Sequence, residues 1–72
     1  MSHLPAMSGD DFVKVISKIG YKWDHTEGSH MILKNSANKR LTVTRHKELA
    51  IGLLRALIRD AGLTRADFLK LL

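Results

Sequence analysis

The side chains of this sequence that could move protons near neutral pH are its four histidines, and His30 stands out among them by its position. It follows Glu27-Gly28-Ser29, which we predict to be a turn, and it opens a run of strand-forming residues. A glycine turn leaves room for another backbone to approach, and an imidazole can accept or donate a proton near neutral pH. His30 is therefore our leading candidate for acid–base chemistry. The alternative is a partly buried histidine that only hydrogen-bonds across the strands.

Positive charge is concentrated in the middle of the chain. The net charge of the 72 residues is +5, yet residues 1–38 carry four Lys and four Asp or Glu, which cancel. Residues 39–65 carry seven Lys or Arg against two acidic residues. A basic block of this kind suits a phosphate backbone, although solvated surface lysines and arginines would give the same composition. The members we single out as phosphate ligands are Arg45, His46, Lys47, Arg55 and Arg59.

A histidine beside a basic block suggests cleavage of RNA. Without a metal, that reaction needs one group to take the proton of the 2′-hydroxyl and another to protonate the leaving 5′-oxygen. His25 and His46 are candidates for the second group, but each could be an ordinary strand or loop residue. We expect no metal site, because these histidines lack a metal-ligand spacing and have few carboxylates nearby. No other cofactor is indicated.

Other classes of protein are made improbable by what the sequence lacks. It has no cysteine, so disulfides, thiolate metal sites and thiol catalysis are excluded. It contains no glycine-rich phosphate loop and no plausible Ser-His-Asp set. No apolar run approaches the roughly 20 residues that span a bilayer, and the N-terminus does not resemble a signal peptide. We therefore expect a cytoplasmic protein without a membrane segment.

The elements that must position these residues follow from the periodicity. Ser8 is a good N-cap for a helix from about Gly9 to Ile19, and Gly20 is suited to end it. Three strands are predicted at residues 21–26, 29–34 and 39–44, a second helix at about 51–61, and a short helix after Thr64. We expect residues 1–7 to be a flexible extension and residues 8–72 to form one domain. The fold class is α+β, with a helix, a three-stranded antiparallel sheet, a helix and a short C-terminal helix.

The strand register is also predictable from the loops. A two-residue loop at Glu27-Gly28 would pair His25 with His30, and a four-residue second loop would pair His30 with Val43. The apolar face of the sheet would then hold Tyr21, Trp23, Ile32, Leu41 and Val43, with His25 and His30 at its edge. Trp23 is interpreted as a core residue rather than a base-stacking platform.

Several motifs in order resemble the HicA family of toxin mRNA interferases, also called YcfA-like proteins. They are Gly28-Ser29-His30 before a strand, Val43-Thr44-Arg45-His46-Lys47-Glu48-Leu49, Gly52 with Leu54-Arg55, and Ile58-Arg59-Asp60-Ala61-Gly62-Leu63. The resemblance covers about residues 8–72. It implies a fold like that of double-stranded-RNA-binding domains, an endoribonuclease that cuts mRNA and arrests translation, and His30 as the catalytic residue. It also implies a HicB-like antitoxin partner, and we expect the free toxin to be monomeric.

The sequence departs from the family pattern at two places. Thr44 stands where a proline usually precedes the Arg-His pair, which affects how Arg45 and His46 are presented. Ile51 and Leu53 replace polar residues that are frequent around Gly52. Two competing hypotheses remain open: a non-catalytic RNA-binding module that uses the same basic block, and an interaction protein whose basic face binds an acidic partner.

Overall fold

A computed structural model describes residues 4–72. Three helices and a 3₁₀ turn accompany one antiparallel sheet with strand order β1-β2-β3. Their bounds are α1 Gly9–Ile16, the 3₁₀ turn Ser17–Ile19, β1 Lys22–Glu27, β2 His30–Lys34, β3 Arg40–Thr44, α2 Ile51–Asp60 and α3 Arg65–Lys70. This confirms the predicted α+β class and the order of its elements.

The ends of α1 follow from the residue types predicted to cap it. The hydroxyl of Ser8 accepts a hydrogen bond from the backbone N–H of Asp11 at 3.0 Å, which satisfies one of the donors left free at a helix start. The last turn tightens into 3₁₀ geometry, and Gly20 then adopts a left-handed conformation with φ of 97°. Helical structure therefore ends where the glycine predicted it would.

The predicted strand register is wrong at both loops, because the partner of His30 differs by two residues on β1 and by one residue on β3. The first loop is Gly28-Ser29, so His30 pairs with Glu27 and His25 pairs with Ile32. The cause is the backbone of Gly28, whose φ of 58° suits the first central position of a type II′ turn. The second loop has five residues, and His30 pairs with Thr44 rather than Val43.

Asn35 explains the length of that second loop. Its side-chain oxygen accepts hydrogen bonds from the backbone N–H groups of Ala37 at 3.0 Å and Lys39 at 2.9 Å. The loop also needs a left-handed residue, which Asn38 supplies with φ of 62°. Asparagine tolerates that conformation better than most residues. A loop built in this way spans five residues, and the register of β3 follows from it.

The corrected register divides the sheet into two unlike faces. One face packs against the helices and contributes the buried Met31, Leu33, Leu41 and Val43 to the core. Because strand side chains alternate, the other face carries His30, Ile32 and Lys34 of β2. The remaining members of this open face are Lys22, His25 and Glu27 of β1 and Arg40, Thr42 and Thr44 of β3. His30 thus lies on the open face and not at the edge of the apolar face.

Strand β1 contains an irregularity that changes where its side chains point. The pairing jumps from Trp23–Leu33 to His25–Ile32, so Asp24 is an extra, bulged residue. Trp23 shares the helix-bearing side with Leu33 but is 57% exposed, and its Nε1 donates to Thr26 Oγ1 at 2.9 Å. The prediction that Trp23 belongs to the core is wrong. Ile32 is buried, but it lies on the open face and outside the main core cluster.

The core lies between the sheet and the helices. Its centre is the stacked pair of Phe12 from α1 and Phe68 from α3, both fully buried with ring centroids 5.6 Å apart. Tyr21 is 2% exposed, as the sequence predicted. The short helix α3 is therefore an integral part of the fold.

The segment before α1 runs beside the loop that joins β3 to α2. Met7 is buried in the core, and its carbonyl accepts a hydrogen bond from the N–H of Leu49 at 2.8 Å. Leu4 packs against the same core. The expected extension over residues 1–7 also includes residues 1–3, which lie outside the described residues. No helix among residues 4–72 is long and apolar enough to cross a bilayer.

Candidate nucleic-acid-cleaving site

His30 is exposed at the beginning of β2, immediately after the first hairpin turn. Glu27 lies across from it on β1 and Thr44 on β3. Its imidazole takes part in none of the side-chain hydrogen bonds or ion pairs formed within residues 4–72. An imidazole in this setting is open to a ligand that approaches the sheet from solvent.

The loop that follows β3 brings cationic residues next to the hairpin. The backbone N–H of Arg45 donates to the carbonyl of Ser29 at 2.7 Å, so the chain leaves the sheet directly beside the residue that precedes His30. The guanidinium of Arg45 points towards α1, where its Nε lies 3.5 Å from Asp10 Oδ1. Exposed ion pairs of this type contribute about 0–1 kcal/mol, so a phosphate can take the place of Asp10.

His46 and Lys47 follow on the same loop, and both are exposed. The loop is held against α1 by backbone contacts: the N–H of His46 donates to Thr44 O, and the carbonyl of His46 accepts from Gly9 N, both at 2.9 Å. Gly9 is packed so closely that a Cβ there would lie 2.1 Å from Thr44 O. These contacts fix the position of the loop without the proline that is usual before the Arg-His pair.

The two arginines of α2 lie elsewhere. Arg55 and Arg59 line a hollow of about 460 Å³ that α2 shares with Leu4, Leu63 and Arg65. The guanidinium of Arg59 is 3.9 Å from the carboxylate of the neighbouring Asp60. Because α2 packs on the helix-bearing side of the sheet, neither arginine shares the open face with His30. Their assignment to RNA binding stays a prediction, and it requires an RNA that reaches around the edge of β3.

A cluster that the sequence analysis did not identify surrounds His25. The His25 ring places Nδ1 2.6 Å from Asp24 Oδ2 and Nε2 3.3 Å from Glu27 Oε2. Consecutive strand residues normally point to opposite faces, but the bulge lets Asp24 reach the ring that follows it. Lys34 Nζ lies 3.8 Å from the same Asp24 carboxylate.

These contacts determine the charge of the cluster. The hydrogen bond to Asp24, followed by the one to Glu27, raises the pKa of His25 above its ordinary value of 6.5. In turn, the hydrogen bond from His25 lowers the pKa of Asp24, and the positive charge of Lys34 acts in the same direction. These contacts therefore favour the protonated imidazolium form of His25. The sequence shows Asp24, His25 and Glu27 close together in the chain. It does not show the bulge that brings the carboxylate of Asp24 to the ring of His25.

The far end of the open face is positively charged. Lys22, Lys34 and Arg40 form one cross-strand row there. This row lies four residues along β2 from His30, or about 13 Å at the usual rise of a strand. An anionic chain that crosses the open face from the turn would meet these side chains, which the predicted list of ligands did not include.

The fold and this open face define a class: a small basic α+β domain like the double-stranded-RNA-binding domains, with a solvent-exposed histidine at a hairpin turn. Residues 9–63 match the family model described as the HicA toxin of bacterial toxin–antitoxin systems. The chain belongs to the HicA toxin family. It is thus related to the toxin component of such systems, as its motifs predicted. A comparison with curated proteins found no match.

Proposed function

We propose that this protein is an endoribonuclease toxin that cleaves mRNA in the cytoplasm and thereby inhibits translation, with His30 as a catalytic residue. The observation that carries the proposal is an exposed imidazole that has no side-chain partner among residues 4–72, located at the hairpin turn of a HicA-family chain. Family membership supports a toxic activity. The exposed histidine beside cationic side chains supports RNA as the target.

The proposed chemistry uses the neighbouring 2′-hydroxyl of the RNA as the nucleophile. His30 takes the proton of that hydroxyl, the 2′-oxygen attacks phosphorus, and the bond from phosphorus to the 5′-oxygen breaks. The products are a 2′,3′-cyclic phosphate, or its hydrolysis product, and a 5′-hydroxyl. Since protein side chains supply the proton transfers, we expect cleavage to proceed without a divalent metal.

Two groups of cations support binding of the substrate. Arg45 and Lys47 leave the sheet beside Ser29, close to the turn that presents His30. Positive side chains there would neutralise phosphate oxygens and the additional charge of the pentavalent state. The row of Lys22, Lys34 and Arg40 would contact a phosphate further along the strand. Binding should therefore weaken steeply with increasing salt.

The proposed protein partner is a HicB-like antitoxin that covers His30. Such a partner would block the open face, where His30 is exposed and no element of residues 4–72 lies over it. Co-expression of a small reading frame adjacent to the toxin gene should restore the growth of cells that express the toxin. Failure of every neighbouring frame to restore growth would contradict a paired antitoxin.

The test compares the parent with His30→Ala on a labelled mRNA in the presence of EDTA. We expect the parent to generate fragments with 2′,3′-cyclic phosphate ends, and the variant to lose about 10²- to 10⁴-fold in rate, the usual contribution of a positioned proton-transfer group. Equal rates in the folded variant, or cleavage only with added metal, would contradict the proposal.

The same experiment distinguishes the non-catalytic alternative. A protein that binds the mRNA with a steep salt dependence but forms no products, and that does not arrest growth on expression, would be an RNA-binding module. Thr26→Val serves as the matched control, because it changes an exposed residue of the same hairpin on the opposite face of the sheet from His30.

A further inference from the structure

His25 and His30 are neighbours on the open face, although the predicted pairing between them is wrong. Glu27 pairs with His30 and His25 pairs with Ile32, which places the two histidines diagonally on adjacent strands. Diagonal residues of an antiparallel pair have Cα atoms about 7–8 Å apart. Two imidazoles at that separation can flank one phosphodiester, with a ring on each side of the phosphorus.

We propose that His25 is the general acid that protonates the leaving 5′-oxygen, opposite His30 as the general base. This proposal rests on the proposed function. In the step, the proton of the 2′-hydroxyl moves to His30, the bond from the 2′-oxygen to phosphorus forms, and the bond to the 5′-oxygen breaks. The proton on Nε2 of His25 moves to that oxygen, so that the products are a cyclic phosphate and a free hydroxyl. Proton exchange with water then resets both rings.

The two carboxylates around His25 have different roles in this arrangement. Asp24 is a positioning residue: its short contact at 2.6 Å holds Nδ1 and directs Nε2 away from the bulge. Glu27 is 3.3 Å from Nε2, at the long end of hydrogen-bond distances. It retains the ring while no substrate is bound, and the leaving oxygen replaces it when RNA binds. The ring itself is 44% exposed, so the substrate can reach it.

The charged groups around the ring favour the protonated form needed for an acid. Asp24 and Glu27 of β1 are both in contact with it, and they raise the pKa of His25. Lys34 of β2 and Arg40 of β3 lower the pKa of Asp24 through their positive charges, which keeps that carboxylate ionised beside the ring. The partner directly across from His25 is the apolar Ile32. The carboxylate contacts are the closest to the ring, so they favour the imidazolium over the neutral imidazole.

Other proton donors near His30 are less well placed. Arg45 is paired with Asp10 on the helix side, and a guanidinium does not release protons near neutral pH. His46 lies two residues beyond the strand, where its backbone is bonded to Thr44 and Gly9. It is the main competitor of His25, and the experiment includes it for that reason.

The experiment uses an RNA whose scissile 5′-oxygen is replaced by sulfur, at a site mapped beforehand with the parent protein. A thiolate leaves without protonation, so this substrate makes a general acid unnecessary. We expect His25→Ala to slow cleavage of ordinary RNA by about 10²- to 10⁴-fold and to cleave the sulfur substrate at nearly the parent rate. His30→Ala should be slow on both substrates.

Each other outcome has a defined meaning. If His25→Ala cleaves ordinary RNA at the parent rate, or is equally slow on both substrates while folded, His25 is not the acid. If His46→Ala shows the sulfur rescue instead, the acid is His46. If the parent cleaves neither substrate, the proposed function itself fails. Thr26→Val is the matched control, since it changes the same strand on the opposite face, and its rates should equal those of the parent.

The role of Asp24 is tested by the pH profile. With ordinary RNA, the rate of the parent should fall as the pH rises through the raised pKa of His25, because the acid form is lost. Asp24→Asn removes the main stabilising contact of the imidazolium, so the falling limb should move to lower pH. This limb should be absent for both proteins on the sulfur substrate. A limb that stays in place in Asp24→Asn would contradict the positioning role.

Discussion

The two faces of the sheet differ in the polarity and exposure of their side chains. The helix-bearing face is apolar and closed by α1, α2 and α3, with Leu33 and Val43 fully buried. The open face holds ionisable groups, including His30 and the His25 cluster, and no element of residues 4–72 covers them. In this small domain the thickness of one sheet separates the apolar core from the ionisable side chains of the candidate site. Substitutions on the two faces should therefore have separable effects.

The largest effect on stability is expected from Phe68→Ala. It removes one ring of the stacked, fully buried pair with Phe12, and such truncations cost about 3–5 kcal/mol. That is a large part of the 5–15 kcal/mol that typically separates folded from unfolded domains. Urea denaturation measures the change, and His30→Ala on the other face should stay within about 0.5 kcal/mol of the parent. A large loss in His30→Ala would contradict the separation of the two faces.

A smaller loss is expected from Gly9→Ala, where α1 meets the end of β3. The new Cβ would lie 2.1 Å from Thr44 O, so the helix must move away from the strand. Overpacking of this kind costs about 1–3 kcal/mol, and the shift should also reduce cleavage because Thr44 neighbours His30. Gly52→Ala in α2 is the matched control, since a Cβ there meets nothing within 4 Å. An unchanged free energy of unfolding in Gly9→Ala would contradict close packing between α1 and the end of β3.

The N-cap of α3 should contribute less. Thr64 and Asp67 form a reciprocal capping box, and Thr64→Ala should cost about 1 kcal/mol in thermal or urea unfolding. The hydrogen bonds from the backbone and side chain of Thr64 lower the pKa of Asp67 below its ordinary value of 3.8. The contribution of Asp67 is therefore present above that value and is lost as the pH falls through the lowered one. Thr64→Ala should weaken the loss of stability at acid pH. An unchanged dependence of stability on pH in this variant would contradict the role of the capping box.

The smallest change in stability is expected from Asp24→Asn, which acts on a titration. The pKa of His25 should fall towards 6.5, because the ring loses its main hydrogen-bond partner. The raised pKa means that His25 stabilises the parent below pH 6.5 and that this contribution is lost as the pH rises through the raised value. NMR titration of the ring protons measures both proteins, and Thr26→Val should leave the pKa unchanged. A pKa of His25 that does not fall in Asp24→Asn would show that Asp24 is not the cause of its rise.

Much of this architecture was predictable from the sequence. The order of the elements, the caps at Ser8 and Gly20 and the capping box at Thr64 depend on local chemistry, which single residues reveal. His30 next to a glycine turn was also predictable, as was its proximity to Arg45. The family resemblance rests on the same local motifs, and the match over residues 9–63 confirms it.

The arrangement of the candidate site was less predictable, because it depends on backbone angles that residue types do not determine. Gly28 can occupy either central position of a two-residue loop, which moves the β1 partner of His30 by two residues. The five-residue second loop, with its left-handed Asn38, places His30 on the same face as Thr44 rather than Val43. The bulge at Asp24 has no clear sequence signal, yet it creates the contact with His25 and leaves Trp23 exposed. Periodicity alone counted Trp23 as core, since it assumed an unbroken strand.

The bulge at Asp24 has a consequence for how the protein behaves in a crowded cell. Strand β1 is an edge of the sheet, and a straight edge offers a row of free N–H and C=O groups to any other extended chain. The extra residue interrupts that row, and the carboxylates of Asp24 and Glu27 add charge beside it. The bulge and these charges therefore disfavour the addition of a sibling molecule's strand at this edge, which protects a thin domain from aggregation there.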